Sequence, residues 1–144
     1  MRTFSEFFAY LGCPLHNVRW SWCAVSPDGR RALFTIWSDE VKQRQYILYP
    51  VTLRRPGFIE GDVDTRHGAE EMARIAHYAA INPDVEALGV LTIAVDPAAK
   101  PRERKTYDDD TVFRLRITEA GGVYTARLID RPKAASLARG EGTA

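Results

Sequence analysis

The chain is poor in the residues from which metal centres and disulfide frameworks are built. Its 144 residues include 2 cysteines, Cys13 and Cys23, and 3 histidines, His16, His67 and His77. The cysteines form no C-x-x-C pair, and no Cys/His cluster has zinc-site spacing. A structural zinc is therefore not expected, and reduced thiols in the cytoplasm are the default reading. No apolar run reaches the roughly 18 residues that a spanning helix needs, so no membrane segment is predicted. The N-terminus carries one arginine and an amphipathic stretch interrupted by Ser5 and Glu6, unlike a signal peptide. A formal net charge of +1 removes any global basic or acidic signature and leaves nucleic-acid contact to local patches. Also missing are a nucleophile elbow, a P-loop and a zinc motif. No catalytic residue, metal or cofactor is assigned on these grounds.

What remains is an ordinary globular composition, 45% hydrophobic and 27% charged, in a chain long enough to bury a core. A single domain is expected over residues 1–131, with a flexible tail over 132–144. The most informative stretch is Asn17-Val18-Arg19-Trp20-Ser21-Trp22-Cys23-Ala24, followed by Leu33-Phe34-Thr35-Ile36-Trp37-Ser38-Asp39-Glu40. Asp28-Gly29 between two apolar runs predicts a hairpin. That turn places Trp20 opposite Trp37, Trp22 opposite Thr35 and Ala24 opposite Leu33. Alternation then puts all three tryptophans on one face, with Cys23, Phe34 and Ile36 on the other. The second face reads as core. The first reads either as another packed layer or as an aromatic wall for a flat ligand such as a flipped base.

The rest of the chain frames this hairpin. Thr3 with Glu6 is a capping-box pattern, and Phe4, Phe7, Phe8 and Leu11 predict a short amphipathic helix. Residues 43–51 predict a third strand containing Tyr46. Residues 53–68 lose periodicity and read as a long loop, in which Asp62-Val63-Asp64 is a weak metal pattern. A main helix is predicted over residues 68–80, with Met72, Ile75, Ala76 and Ala79 facing the core. Residues 87–95 form the most apolar run and predict a central strand covered on both faces. Arg102, Arg104 and Lys105 form the best local candidate for phosphate contact, against the alternative of a solvated connection balanced by Asp108-Asp109-Asp110. A last hairpin over residues 111–129 carries Arg114 and Arg116 on one face, where Arg127 could join them. Arg19 is a further candidate for phosphate contact, and Asp39 and Glu40 read as base-edge acceptors or as a solvated loop paired with Arg19.

The order helix, three strands, helix, three strands predicts an α+β fold. The expected architecture is a small curled antiparallel or mixed sheet, or a PUA-like barrel, of about six strands with two helices. Asn17 to Trp22, Ile36-Trp37-Ser38-Asp39-Glu40 and Arg104-Lys105-Thr106-Tyr107 together resemble the N-terminal modules found ahead of nuclease domains in bacterial HNH-type, modification-dependent restriction enzymes. The element order is also compatible with the PUA-like barrels of the EVE and SRA type, which read modified bases. The resemblance implies binding of DNA that carries a modified base, held in an aromatic cage. Trp20, Trp22, Trp37 and Tyr46 match the cage positions, and Asp39 would bond the base edge. No H-N-H motif follows, so cleavage is not implied for this chain, and an effector nuclease or other protein partner would act on what it binds.

Two further functions are compatible with the residues alone. The tryptophan face could be an interface of a protein-interaction or structural subunit, such as one in a defence system. Asp39, Glu40, Asp62 or Asp64 could serve a metal-dependent hydrolase.

Overall fold

The computed structural model describes residues 2–58, 63–99 and 103–139. The elements are α1 (Phe4–Tyr10), β1 (Cys23–Val25), β2 (Arg31–Trp37), β3 (Gln45–Tyr49), α2 (Val63–Ile81), β4 (Glu86–Ala94), β5 (Arg104–Tyr107), β6 (Phe113–Ala120), β7 (Val123–Asp130) and α3 (Ala134–Leu137). Short 3-10 turns occupy Ser38–Glu40 and Val51–Leu53. The strands form one mixed sheet in the order β1-β2-β4-β6-β7-β3, with β5 against β4. The sheet curls into a half-barrel, as the α+β reading expects. β2 and β4 are its parallel pair, Leu33 beside Leu88 and Trp37 beside Thr92. They run parallel because β3 and α2 intervene and return the chain to the starting edge.

The hairpin forms in the predicted register. Cys23 opposes Phe34, Ala24 opposes Leu33 and Val25 opposes Ala32. Its turn uses Gly29 at φ 74°, a conformation glycine adopts without penalty. The first strand is shorter than expected, however. It starts at Cys23, because Asn17 and Ser21 tie the preceding residues into a local turn. Ser21 N–H donates to Asn17 O at 2.9 Å, Asn17 N–H to Ser21 Oγ at 3.0 Å, and Arg19 N–H to Asn17 Oδ1 at 2.9 Å. Asn and Ser side chains that bond nearby backbone compete with the ladder in this way.

α1 begins as its capping box dictates. Glu6 N–H donates to Thr3 Oγ1, and Thr3 N–H donates to Glu6 Oε1 at 2.8 Å. α2 starts five residues before the glycine at which the periodic pattern begins. Gly68 lies inside the helix, where a Cβ would come within 2.5 Å of Trp22 Cε2 and 2.8 Å of Trp20 O. That glycine is therefore there for close approach rather than for starting a helix. β4 is central, as its apolar run predicts. The chain beyond residue 131 also carries structure: α3 buries Ala134, and Leu137 packs on the same cluster.

Two cores result. On one side of the sheet, Cys23, Phe34, Ile36, Tyr46 and Leu48 pack against Met72, Ile75 and Ala76 of α2. On the other, Phe4, Phe7 and Phe8 of α1, with Leu11 at its C-terminal cap, cover Leu33, Leu88 and Val90. Arg31, whose side chain is 4% exposed, ties the second core together. Its guanidinium donates to Glu86 at 2.7 Å, to Leu11 O at 2.8 Å and to Leu137 O at 2.5 Å. A buried charge so fully bonded holds the ends of α1 and α3 on one point.

Candidate functional site

α1 covers its face of the sheet only in part. Leu33 lies beneath it, but Thr35 and Trp37 continue along β2 past the covered region. There a cavity of about 360 Å³ opens. Thr35, Trp37 and Thr92 line it from β2 and β4, Trp22 from the edge before β1, and Thr3, Phe4 and Ser5 from the start of α1. Val18, Arg19 and Ser21 close a third side, and Arg104 of β5 a fourth.

Each wall has a local cause. Trp22 follows directly from the hairpin register, since Thr35 N–H donates to Trp22 O at 3.1 Å. The indole also crosses Gly68 of α2 and meets Phe58 edge-on, ring centres 6.4 Å apart. Arg104 lies over the Phe4 ring at 4.0 Å, a cation–π contact that holds the guanidinium at the cavity. Burial holds its pKa below the ordinary arginine value, with Tyr107 pulling the other way. It stays charged at any pH the protein meets. Thr35 is 6% exposed and its hydroxyl has no hydrogen-bond partner among the described residues. Thr92 is fully buried and its Oγ1 donates to Val90 O at 3.1 Å. The cavity thus combines two indoles, a cation and hydroxyl groups, the mixture expected of a site for a planar, polar, anionic ligand.

Of the expected cage residues, Trp22 and Trp37 meet at this cavity. Trp20 does not line it, because the turn at residues 17–21 rotates it out of the strand. It packs between His16, at 5.7 Å, and His67 of α2, at 5.2 Å. Tyr46 is 1% exposed and lies in the α2-side core, beneath the guanidinium of Arg54 at 4.5 Å. Asp39 is exposed in the 3-10 turn after β2 and does not line the cavity. Its neighbour Glu40 is neither solvated nor paired with Arg19. It is buried and takes hydrogen bonds from Arg54 at 2.6 Å and from Arg55 at 2.8 and 3.0 Å. This ion cluster pins residues 54–58, part of the stretch expected to be a loop.

The phosphate candidates separate into groups. Arg19 and Arg104 reach the cavity, and Arg19 also donates to Asp64 at 2.6 Å. Lys105 is exposed beside Arg104, on the opposite side of β5 by alternation. Arg102 and Asp62 lie outside the described residues. Arg114 pairs with Asp130 at 3.0 Å, and Arg116 stands opposite Arg127 on β7. The Asp run balances other cations than expected: Asp108 bonds Arg131, and Asp110 bonds Lys133 at 2.6 Å. Among the described residues, no group of three His, Cys, Asp or Glu side chains is placed to hold a metal ion, and no helix is long and apolar enough to cross a membrane.

Thr35, Thr92, Ser21 and the hydroxyls of α1 were not singled out from sequence as site residues. A threonine inside the apolar run of β2 was the one available signal. A second cavity, of about 480 Å³, lies between the end of α2 and β6, lined by Ala79, Pro83, Val85, Arg116 and Ile129. Comparisons with protein-family models, with curated proteins and with solved structures find no match to this chain.

Proposed function

We propose that the chain is a DNA-binding module that takes one base, carrying a modification, into the cavity between Trp22 and Trp37. The observation that carries this reading is the meeting of two indoles and an arginine with no carboxylate partner among the described residues, Arg104, at one cavity. Stacking on an aromatic ring is worth about 1–3 kcal/mol per base, which offsets the few kcal/mol that unstacking a base costs. Arg104 meets the adjoining phosphate, and Arg19 is a second cation at the rim. Among the described residues no side chain at the cavity is arranged as nucleophile and base, so the role we assign is recognition, and an effector nuclease or other protein would act on the bound DNA. Both cysteines are free and buried, as suits a reducing compartment, and we assign the chain to the cytoplasm on that ground.

The test is a titration of intrinsic tryptophan fluorescence with short duplexes bearing cytosine, 5-methylcytosine, 5-hydroxymethylcytosine or N6-methyladenine. Saturable quenching by a modified duplex, reduced in Trp37→Ala and weakened by salt in parallel with Arg104→Gln, supports the reading. Equal binding of all duplexes by the intact protein and the Trp37→Ala variant removes the cavity from the account.

A further inference from the structure

Arg116 on β6 and Arg127 on β7 stand directly opposite one another. Both are exposed. Among the described residues neither guanidinium has an ion-pair partner, whereas their neighbour Arg114 is paired with Asp130. Like charges at directly opposed positions weaken a strand pair. Leu115, Ile117, Ala126 and Leu128 point to the α2 core, so alternation places the two arginines on the other face, with Arg116 also bordering the cavity at the end of α2. Among the described residues, the α1-side cluster contains no residue of β6 or β7, which leaves that face open. Gln45 of β3 lies next to Arg127 and continues the stripe across a third strand.

The sheet register locates this stripe relative to the cavity. Arg116 is one step beyond the pair Leu115–Ala87, which brings it level with Glu86, six residues from Thr92 at the cavity. At about 3.3 Å per residue that is roughly 20 Å along the sheet. Arg116 and Arg127 are therefore too far away to touch the phosphates of the base in the cavity.

We infer that the Arg116–Arg127 stripe is a second contact, to the phosphate backbone of the same DNA duplex, and that it sets the duplex length needed for full affinity. This rests on the reading of the cavity given above. With phosphates about 3.4 Å apart along each strand, contacts roughly 20 Å apart are separated by about six base pairs. A duplex of about four base pairs reaches the cavity alone, and one of about twelve reaches both.

The experiment measures affinity against salt for duplexes of about four and about twelve base pairs, with 5-methylcytosine or 5-hydroxymethylcytosine, whichever quenches the indoles, near one end. The variants are Arg116→Gln/Arg127→Gln and Arg116→Lys/Arg127→Lys, with thermal melting as the check on folding. On the long duplex, loss of two phosphate contacts lowers the slope of log K against log salt by about 1.8. Between 50 and 200 mM salt the intact protein then loses about tenfold more affinity than the glutamine variant. The lysine variant keeps the slope, and on the short duplex all three proteins bind alike. Equal slopes on the long duplex overturn the inference, as does an equal change on short and long duplexes, or preference for single-stranded RNA. Trp37→Ala separates the two readings. If it weakens binding at both lengths while the slopes stay equal, the stripe alone is wrong. If it leaves binding untouched, the cavity reading fails and this inference with it.

Discussion

The two faces of the sheet are covered by helices of very different length. α2 has 19 residues and spans about 28 Å, close to the roughly 30 Å of the nine-residue β4. α1 has 7 residues and spans about 10 Å. The same strand, β2, therefore meets two environments. Phe34 and Ile36 point to α2 and are fully buried. Leu33, on the alternate face, is buried by α1, but Thr35 and Trp37 run on past it and line the cavity. A short helix over a long strand leaves a vacancy, and the site occupies it. One face is thereby committed to stability, and the end of the other, where Trp22 and Trp37 also rest on the α2-side core, is the place our proposal assigns to binding.

Breaking the committed face has the largest effect on folding. Phe34→Ala removes a fully buried ring and costs about 3–5 kcal/mol, read as a fall in the midpoint of denaturant unfolding. The fraction that remains folded binds DNA normally. Trp37→Ala, three residues on, removes an indole that lines the cavity while its other side packs on the α2-side core, and acts mainly on binding. It weakens DNA binding by about 1–3 kcal/mol, or about 5- to 150-fold, with a smaller change in stability. If Trp37→Ala were the more destabilising of the two, the division of labour between faces would be wrong.

Acid sharpens the comparison by acting on the α1 side. Asp108 follows Tyr107, whose ring packs on Phe7 and whose hydroxyl donates to Arg2 O. Burial by itself pushes the Asp108 carboxyl up, but hydrogen bonds from the Thr111 side chain and backbone, from Asp110 N–H and from Arg131 outweigh it. The result is a pKa of about 2, below the ordinary 3.8. Because the folded value is the lower one, the contribution to stability is complete above the ordinary value and is lost as pH falls through about 2. Melting temperature in the intact protein should fall over that interval more steeply than in Asp108→Asn, which is less stable at neutral pH. The smallest effect is expected at the cavity itself. Thr35→Val removes a buried hydroxyl that has no partner among the described residues, so the free protein should gain up to about 1 kcal/mol. A clear loss of stability would mean that the hydroxyl is bonded in the free state.

Most of the fold was legible because its signals are local. The capping box of Thr3 and Glu6, the Asp28-Gly29 turn and the stripe Met72, Ile75, Ala76 and Ala79 each depend on a few neighbouring residues. The site was legible only where it follows from strand alternation, which brought Trp22, Thr35 and Trp37 to one face. Trp20 left that face because Asn17 and Ser21 bond their own backbone, a competition that alternation cannot register. Tyr46 has the right residue type, but β3 pairs with β7 and so delivers it to the α2 core. Glu40 looked solvated because its partners, Arg54 and Arg55, lie in a stretch without periodicity. Arg104 reaches the cavity through pairing of Ala94 with Arg104, a contact that depends on topology rather than on neighbours.

The central claim is that a base enters the space between Trp22 and Trp37 while Trp20 remains outside it. The direct measurement is fluorescence quenching in two variants, one keeping only the cavity tryptophans (Trp20→Phe) and one keeping only the outer one (Trp22→Phe/Trp37→Phe). Saturable quenching by a modified duplex in the first variant and none in the second is the result expected. Quenching confined to the second variant, or none in either, would contradict it.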